Sequence, residues 1–401
     1  MEGQTRAYLR GRFGDHYRRA GVSPPPAAGE REWGYIPFRA GETRMVRHRS
    51  LLDLGDFGDA AELGEFLARE RPRHVYYSAA RYDDPGADSM DAKGWQAADL
   101  VFDLDADHLP AVDPAEDSYA EMLSACKDAL VRLLDFLEGD FGFEDLSVVF
   151  SGGRGYHVHV RDEGVLDLGR DQRREIVDYV LGEDLDFESL VDTETVAGLG
   201  RKTPAEKRTI PTGGGWGARV HDRLMTVVDE ALALPDDEGV DRLTRYVGVG
   251  EGRAEAILAA ADANYDELAA GNVDVHPALH ELLKAIRDET VQRERAPIDE
   301  PVTTDLNRLI RLPGSIHGGS GLRVTPVDRE DLAEFDPFVH AVPGTFRGQE
   351  IVVDVKSPGE TPFAPPSGDD TFTVSADEQS VPEYVGVFLM ARGRAEKGKE
   401  R

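Results

Sequence analysis

The chain has 401 residues, 40% of them hydrophobic, which is enough for two or three domains, or for one domain with a large insertion, with a sizeable core. It has no run of 18 apolar residues, and its first residues lack the basic and apolar segments of a secretion signal. We therefore expect no membrane span and predict a cytoplasmic location. The single cysteine, Cys126, excludes an intramolecular disulfide and a cysteine-rich zinc site.

The charge is strongly negative, with 77 acidic residues, 46 basic residues and a formal net charge of −31. Only 8 of the basic residues are lysines. Phosphate contacts dominate nucleic-acid affinity, so this acidity at first argues against a nucleic-acid partner. Acid-rich, lysine-poor surfaces also suit molar salt, where the screening length falls to about 3 Å. Because the acids are spread along the whole chain, we interpret them as an adaptation to a halophile's cytoplasm.

The first hundred residues predict helices that alternate with short strands. Apolar residues near one face and a run of prolines at residues 24–26 define the first helix and its end. The predicted elements are helices over 5–21 and 60–71, a hairpin-like strand pair over 31–38 and 43–51, and a strand over 74–78.

The next segment, residues 100–105, predicts a strand that carries two carboxylates. Alternation along a strand would turn Leu100, Phe102 and Leu104 to a core and place Asp103 and Asp105 side by side on the other face. Adjacent carboxylates repel each other, and cations between them relieve the repulsion. Paired divalent ions held in this way can catalyse phosphoryl transfer. The alternative is a solvated strand edge in a very acidic protein.

A glycine-rich turn follows the clearest helix, which is predicted over 117–138. Residues 147–150 and 156–160 predict strands, and residues 151–155 (SGGRG, the glycine turn) connect them. Glycines let backbone amides approach an anion, and Arg154 adds a planar fork for phosphate oxygens. His157 could donate a hydrogen bond to the same ligand. The alternative is an ordinary hairpin turn with one solvated arginine.

Residues 165–295 predict a mostly helical, charged insertion broken by glycines. Within it, residues 247–254 (VGVGEGRA) resemble the glycine turn of a helix-hairpin-helix DNA clamp, although an ordinary turn between helices is an alternative. Strand character returns near Val302. The remaining predicted segments are strands over 322–327 and 350–355, a Pro/Gly/Ser-rich stretch over 357–368 and a tail that ends in charged residues.

A third polar cluster lies between residues 297 and 318. Asp299 supplies a possible third carboxylate, and Arg311 and His317 are candidate ligands for a triphosphate. Apolar residues around Arg311 would pack this segment. Each residue also has a simpler explanation, since Asp299 for instance could cap a turn.

Together these motifs resemble a known family. The segments are Tyr77-Ser78 with Lys93-Gly94, residues 100–105 (LVFDLD), residues 151–157 (SGGRGYH) and residues 311–317 (RLPGSIH). In this order they resemble the small, catalytic subunit of archaeal and eukaryotic-type DNA primase, over roughly residues 5–165 and 295–355.

The resemblance implies a mixed α/β primase fold with a mostly helical insertion. The expected division is a catalytic core in residues 1–164 and 296–356, the insertion in 165–295 and a C-terminal extension in 357–401. Members of the family synthesise short RNA primers on a single-stranded DNA template by two-metal nucleotidyl transfer, and they can often incorporate deoxynucleotides as well as ribonucleotides. A separate large subunit, which carries the family's iron–sulfur cluster, implies a heterodimer.

The resemblance also assigns roles to individual residues. The catalytic, metal-binding triad would be Asp103, Asp105 and Asp299, which would hold two Mg²⁺ or Mn²⁺ ions. The nucleotide-binding positions would be Ser151, Arg154, His157, Arg311 and His317, together with Arg47 as a further triphosphate contact.

One departure from the family concerns zinc. Many relatives carry a small zinc site between the aspartate strand and the glycine turn, but here Cys126 and His108 are the only plausible remnants, so we expect no structural zinc. The rival functions are a repair or translesion polymerase of the same superfamily, a metal-dependent nuclease or phosphatase, and a non-catalytic nucleic-acid-binding subunit. Initiation on an unprimed template separates a primase from the rival polymerase.

Overall fold

The computed structural model describes residues 1–39, 45–48, 60–196, 205–364 and 371–399. Helices and strands both contribute, so the predicted mixed α/β class is confirmed. The chain divides into two compact units. The first comprises residues 1–128, 144–174 and 297–401, and the second comprises residues 129–143 and 175–296. The domain bounds expected from the sequence stay a prediction.

Two antiparallel sheets form the centre of the first unit. The first, here called the tyrosine sheet, has the strand order Leu309–Arg311, His74–Ser78, Trp33–Ile36, Val46–His48. The second, here called the aspartate sheet, has the order Thr325–Val327, Leu146–Phe150, Gly155–Val160, Leu100–Asp105. The rings of Tyr77 and His159 stack 6.3 Å apart and bring one face of each sheet together.

The helices of the first unit surround these sheets. They are Gly3–Arg19, Ala60–Glu70, Glu163–Leu166, Glu300–Thr304, Pro337–His340 and Glu383–Ala391, together with the first parts of Tyr119–Leu134 and Arg170–Leu181. Short 3₁₀ turns lie at Ala28–Glu30, Asp91–Lys93, Ala106–His108 and Gly344–Phe346. A smaller strand pair joins Ala80–Tyr82 to Trp95–Ala98.

The aspartate strand, Leu100–Asp105, has the predicted alternation. Leu100, Phe102 and Leu104 are fully buried, while Asp103 and Asp105 are partly exposed. The strand pairs with Gly155–Val160. A side chain at Gly155 would place its Cβ 1.8 Å from the carbonyl oxygen of Leu104, so only glycine allows the two strands to pair at this point.

The strand predicted near Val302 is wrong, because this segment forms the short helix Glu300–Thr304. Asp299 occupies the position before the helix, and Pro301 lies in its first turn, where the missing N–H of proline has no cost. The hydroxyl of Thr304 donates to the carbonyl oxygen of Glu300 at 3.0 Å. These local features favour a helix over the strand suggested by the β-branched residues.

The C-terminal residues build a third sheet in the first unit. Strand Glu350–Val355 pairs with Asp377–Pro382 on one side and Ala395–Lys397 on the other, and helix Glu383–Ala391 connects the two outer strands. Gly359–Glu360 pairs with Thr373–Val374. The predicted strand over 350–355 is therefore confirmed.

The second unit is mostly helical, as predicted for most of its sequence. Its helices are Phe187–Leu190, Gly215–Leu232, Asp236–Leu243, Glu251–Ala263, Tyr265–Ala269 and Ala278–Glu294, with a π-helical turn at Asp135–Asp140 and one strand pair, Asp192–Val196 with Ala205–Thr209. The glycine-rich residues 247–250 connect two of these helices. No helix in the described ranges combines the length and the apolar character that a bilayer span requires.

Candidate active site

Two distant segments of the chain meet beside the aspartate strand. The backbone N–H of Asp299 donates to the carbonyl oxygen of Asp103 at 2.9 Å. Beneath this contact, Val101 of the aspartate strand, Val302 of the short helix and Ile310 of the tyrosine sheet pack in one buried cluster. Apolar packing therefore fixes the relative positions of the two acidic segments.

A cavity of about 530 Å³ opens above this contact. Among its walls are five of the predicted site residues, namely Asp103, Asp105, Asp299, His157 and Arg311. The sequence did not single out several other polar residues of the wall, which are Tyr76, Asp305, Asn307 and Arg308. Carboxylates and guanidinium groups thus face one space, which suits a ligand that carries both metal ions and phosphates.

The pKa of the Asp103 carboxyl is raised by its surroundings. Burial, and then the neighbouring charge of Asp105, raise the pKa of Asp103 to about 6, although Arg311 and Arg308 act in the opposite direction. A raised carboxyl pKa means that the site disfavours its own negative charge. A bound cation would remove that penalty.

His157 faces Asp103 from the neighbouring strand. The two residues are directly paired in the register, and Nε2 of His157 lies 3.5 Å from Oδ1 of Asp103. Burial, and then the charge of Arg311, lower the pKa of His157 to about 3, so its imidazole is neutral near neutral pH. Its Nδ1 is buried without a hydrogen-bond partner in the described part of the chain. This atom can therefore accept or donate a bond to an incoming ligand.

The other predicted nucleotide contacts form a second group at the glycine turn, and they do not line the cavity. The Oγ of Ser151 accepts a hydrogen bond from the N–H of Gly153 at 3.3 Å, and Arg154 forms an ion pair with Asp107. A Cβ on Gly152 would lie 2.7 Å from Cβ of His317, so the turn packs directly on this histidine. The carbonyl of Arg154 accepts from Ala106, next to Asp105, which places the group beside the cavity.

Arg311 holds a position between the two groups. Its guanidinium lies over the ring of Tyr76 at 5.8 Å, and its Nε is buried without a partner among the described residues. Its charge also helps to keep the pKa of the buried His317 well below the ordinary value, after burial itself. An anion is the ligand that this uncompensated donor would bind.

Comparisons with known proteins identify the family of this chain. A family model described as DNA primase small subunit matches residues 102–329, which include most of the cavity wall. The chain is 62% identical over 403 residues to the DNA primase small subunit PriS of Haloarcula marismortui, with 100% of both chains covered. The chain belongs to the DNA primase small subunit family.

Further members of the primase small subunit family match over the same extent. The PriS protein of Natronomonas pharaonis is 60% identical over 401 residues, with 100% of both chains covered. That of Methanococcoides burtonii is 38% identical over 406 residues, with 99% of this chain and 100% of the relative covered. Haloarcula and Natronomonas are halophilic archaea, so the halophilic archaeal origin that the composition suggested is confirmed.

Arg47 is the predicted nucleotide contact that cannot be placed in the site. Its backbone lies in strand Val46–His48 opposite Gly34, but its side chain is outside the described residues.

Cys126, which the sequence suggested as a remnant of the zinc site of other primases, is buried, and its Sγ lies 3.5 Å from the carbonyl oxygen of Leu104. Burial and the nearby aspartates raise the pKa of this thiol.

The donor set fits a primase metal site that is completed by substrate. Among the described residues, no three histidine, cysteine or acidic side chains are grouped closely enough to hold a metal ion by themselves. Mg²⁺ usually takes only one or two protein carboxylates and obtains its other ligands from water and substrate phosphates. Asp103 and Asp105, whose negative charges repel each other, lie on the same cavity wall as Asp299 and meet that requirement.

Proposed function

We propose that this primase small subunit starts short RNA primers on a single-stranded DNA template and also incorporates deoxynucleotides. The observation that supports it is a single cavity in which Asp103, Asp105 and Asp299 face Arg308 and Arg311. The same chemistry, nucleotidyl transfer, would serve both kinds of nucleotide. In this proposal the enzyme is a template-dependent RNA polymerase of the primase type.

The three aspartates, Asp103, Asp105 and Asp299, would hold two Mg²⁺ or Mn²⁺ ions. When bound, such ions supply the positive charge that the attacking and leaving oxygens require. All apolar side chains of the aspartate strand are buried, so the strand is fixed in the core. The strand therefore keeps the carboxylates of Asp103 and Asp105 in place. The chain therefore contributes preorganised ligands rather than a nucleophile.

The basic and polar residues would bind the triphosphate. Arg311 and Arg308 face the cavity, and His157 offers a neutral imidazole with one unsatisfied nitrogen. Fixed donors of this kind orient phosphates and favour departure of pyrophosphate. The remaining triphosphate contacts in the proposal are Ser151, Arg154, His317 and Arg47.

The partners in this proposal are the template strand, the nucleoside triphosphates and a large subunit. The name "small subunit" in the relatives indicates an assembly with another chain. The chain's one cysteine cannot hold an iron–sulfur cluster, so we place that cluster in the large subunit.

The test is primer initiation by the full-length chain, with and without the large subunit. The template would be an unprimed single strand, with labelled nucleotides, each metal in turn and high potassium chloride. Asp103→Asn should reduce initiation at least a hundredfold, because a neutral amide is a much weaker metal ligand. The same change at the exposed Asp91 is the matched control and should leave initiation unaltered.

Two outcomes would contradict the proposal. An Asp103→Asn variant that initiates at the wild-type rate would remove the aspartates from the chemistry. A wild-type chain that extends primers but never joins two free nucleotides, even with its large subunit, would indicate a repair or translesion polymerase instead.

A further inference from the structure

A second pocket in the first unit is lined by arginines, and its described lining residues include no aspartate or glutamate. Its volume is about 400 Å³, and its charged lining residues are Arg6, Arg39, Arg73 and Arg392. Apolar lining is provided by residues such as Phe38 and Met390. We call it the arginine pocket. It shares no lining residue with the catalytic cavity.

Such a pocket is unexpected in this chain. Acidic residues outnumber basic ones by 77 to 46, so a random surface concavity would contain carboxylates. Four arginines come instead from four separate segments, which are the first helix, the loop after strand Trp33–Ile36, the residue before strand His74–Ser78 and the residue after helix Glu383–Ala391. Bringing like charges together is unfavourable unless a ligand compensates them.

Carbonyl groups and an aromatic ring position three of these arginines, Arg6, Arg73 and Arg392. Nη2 of Arg6 donates to the carbonyl oxygen of Met1 at 3.1 Å, and Nε of Arg73 donates to that of Gly318 at 3.2 Å. The guanidinium of Arg392 lies over the ring of Tyr119 at 4.8 Å. Carbonyl and ring contacts hold a guanidinium in place but leave its full charge for an anion.

The arginine pocket is connected to the nucleotide-binding elements on two sides. Arg73 precedes His74, whose ring lies 4.9 Å from that of His317 and 6.1 Å from that of Tyr76 in the catalytic cavity wall. On the other side, the ring beneath Arg392 belongs to Tyr119, whose hydroxyl donates to the carbonyl oxygen of Gly153 at 2.6 Å.

Charges from both the catalytic cavity and the arginine pocket act on the pKa of His74. Burial, and then the charges of Arg311 and Arg73, lower the pKa of His74 to about 3. One of these arginines belongs to the catalytic cavity and the other to the arginine pocket, so His74 lies within the fields of both.

We propose that Arg6, Arg39, Arg73 and Arg392 form a second phosphate-binding site, which holds the backbone of the single-stranded DNA template next to the catalytic cavity. Guanidinium groups bind phosphate oxygens, and apolar walls between them suit the sugars and bases of a strand. Pyrophosphate released by the reaction has the same phosphate chemistry, and the experiment separates the two sources. This inference rests on the proposed function, because a primase requires a template path.

The test compares charge-removing variants of the full-length chain. Binding of a fluorescein-labelled oligothymidylate would be followed by anisotropy over a range of potassium chloride concentrations. Arg6→Gln/Arg392→Gln should weaken binding about tenfold and lower the slope of log affinity against log salt by about 1.4, or about 0.7 for each lost phosphate contact. Arg19→Gln/Arg245→Gln, which removes two exposed arginines elsewhere, is the matched control and should change neither quantity.

A double lysine variant tests whether weaker binding comes from misfolding and not from the lost charges. Arg6→Lys/Arg392→Lys keeps both charges and should retain most of the salt slope, since lysine also binds phosphate as a point charge. If the glutamine pair fails to fold by circular dichroism, the single variants Arg6→Gln and Arg392→Gln should each lower the slope by about 0.7.

Calorimetry with inorganic pyrophosphate supplies the second arm. The Arg6→Gln/Arg392→Gln variant could lose one pyrophosphate-binding site and still bind DNA as the wild type does. In that case the arginine pocket would be a phosphate site whose ligand is pyrophosphate and not the template. Unchanged binding of both DNA and pyrophosphate would overturn the inference. Neither measurement requires catalysis, so a failure here is distinct from a failure of primer initiation.

Discussion

The carboxylate of Asp99 pairs with three arginines. Its oxygens accept from Nη2 of Arg31 at 2.9 and 3.1 Å, from Nε of Arg161 at 3.0 Å and from Nη2 of Arg81 at 3.3 Å. Burial alone would raise the pKa of Asp99, but Arg31 and Arg161 outweigh it and hold the pKa below its usual value. Because Asp99 immediately precedes the aspartate strand, this network anchors the strand that carries Asp103 and Asp105.

Removing the charge of Asp99 should therefore destabilise the fold. Asp99→Asn leaves the fully buried Arg31 without a counter-ion, and breaking a buried pair from one side typically costs about 3–5 kcal/mol. Urea unfolding at constant potassium chloride would measure the loss. Asp91→Asn, at an exposed site, should change the free energy of unfolding by less than about 0.5 kcal/mol. Equal stability of the two variants would show that Asp99 does not anchor the strand.

Stability should also fall in mild acid because of His74. Its pKa is about 3 in the folded chain and 6.5 in the reference state, so between these values the unfolded chain binds the extra proton. The free energy of unfolding should decrease by about 2 kcal/mol between pH 6.5 and pH 5 from this one histidine. His74→Gln should show a correspondingly smaller decrease in urea titrations at the two pH values. An identical decrease in both proteins would contradict this origin.

At the scale of elements, the aspartate strand could be predicted and the Asp299 helix could not. Strict alternation identified both faces of Leu100–Asp105, because a strand has a two-residue period. The segment after Asp299 is too short to show a helical period, and its proline and threonine contacts become visible only in the structure. Arg308 was missed for another reason: nothing in the sequence separates it from the other 37 arginines until the fold places it in the cavity.

Helix Glu383–Ala391 was also not predicted from the sequence, where only a tail ending in charged residues was expected after residue 368. Nearly all of its residues from Val385 to Met390 are apolar, and each hydrophobic side chain among them is at most 1% exposed. A helix that is buried all round has no polar face, so it lacks the amphipathic pattern by which helices are recognised.

This helix should contribute strongly to the stability of the first unit. Leu389→Ala removes a fully buried side chain and should lower the free energy of unfolding by about 2–5 kcal/mol. Val339→Ala, at a residue that is 50% exposed, is the control and should have little effect. Urea denaturation followed by circular dichroism would compare them. If Leu389→Ala were as stable as the control, the helix would not belong to the core.

At the scale of the whole molecule, the net charge of −31 governs how the protein responds to salt. Mutual repulsion of the acids should destabilise the fold at low ionic strength, and screening should restore it. The free energy of unfolding should thus increase as potassium chloride rises from about 0.2 M to about 2 M. A stability that is independent of salt, or that decreases with it, would contradict the halophilic interpretation of the composition.

Several motifs in the correct order predicted the family and five residues of the cavity wall, because the ligands of one site recur at fixed places along the chain. The path of a polyanion across so acidic a surface could not be predicted, since the four arginines of the arginine pocket come from segments up to 386 residues apart. Only the fold brings them together.

The most direct test of the three-aspartate site is a count of bound metal ions. Electron paramagnetic resonance would measure Mn²⁺ bound to the full-length chain with a non-hydrolysable nucleoside triphosphate, for the wild type, Asp103→Asn/Asp105→Asn and the control Asp91→Asn. The wild type and the control should bind two ions per chain with the nucleotide, and the double variant should lose those held by the protein. Equal Mn²⁺ binding by all three proteins would show that these carboxylates do not form a metal site.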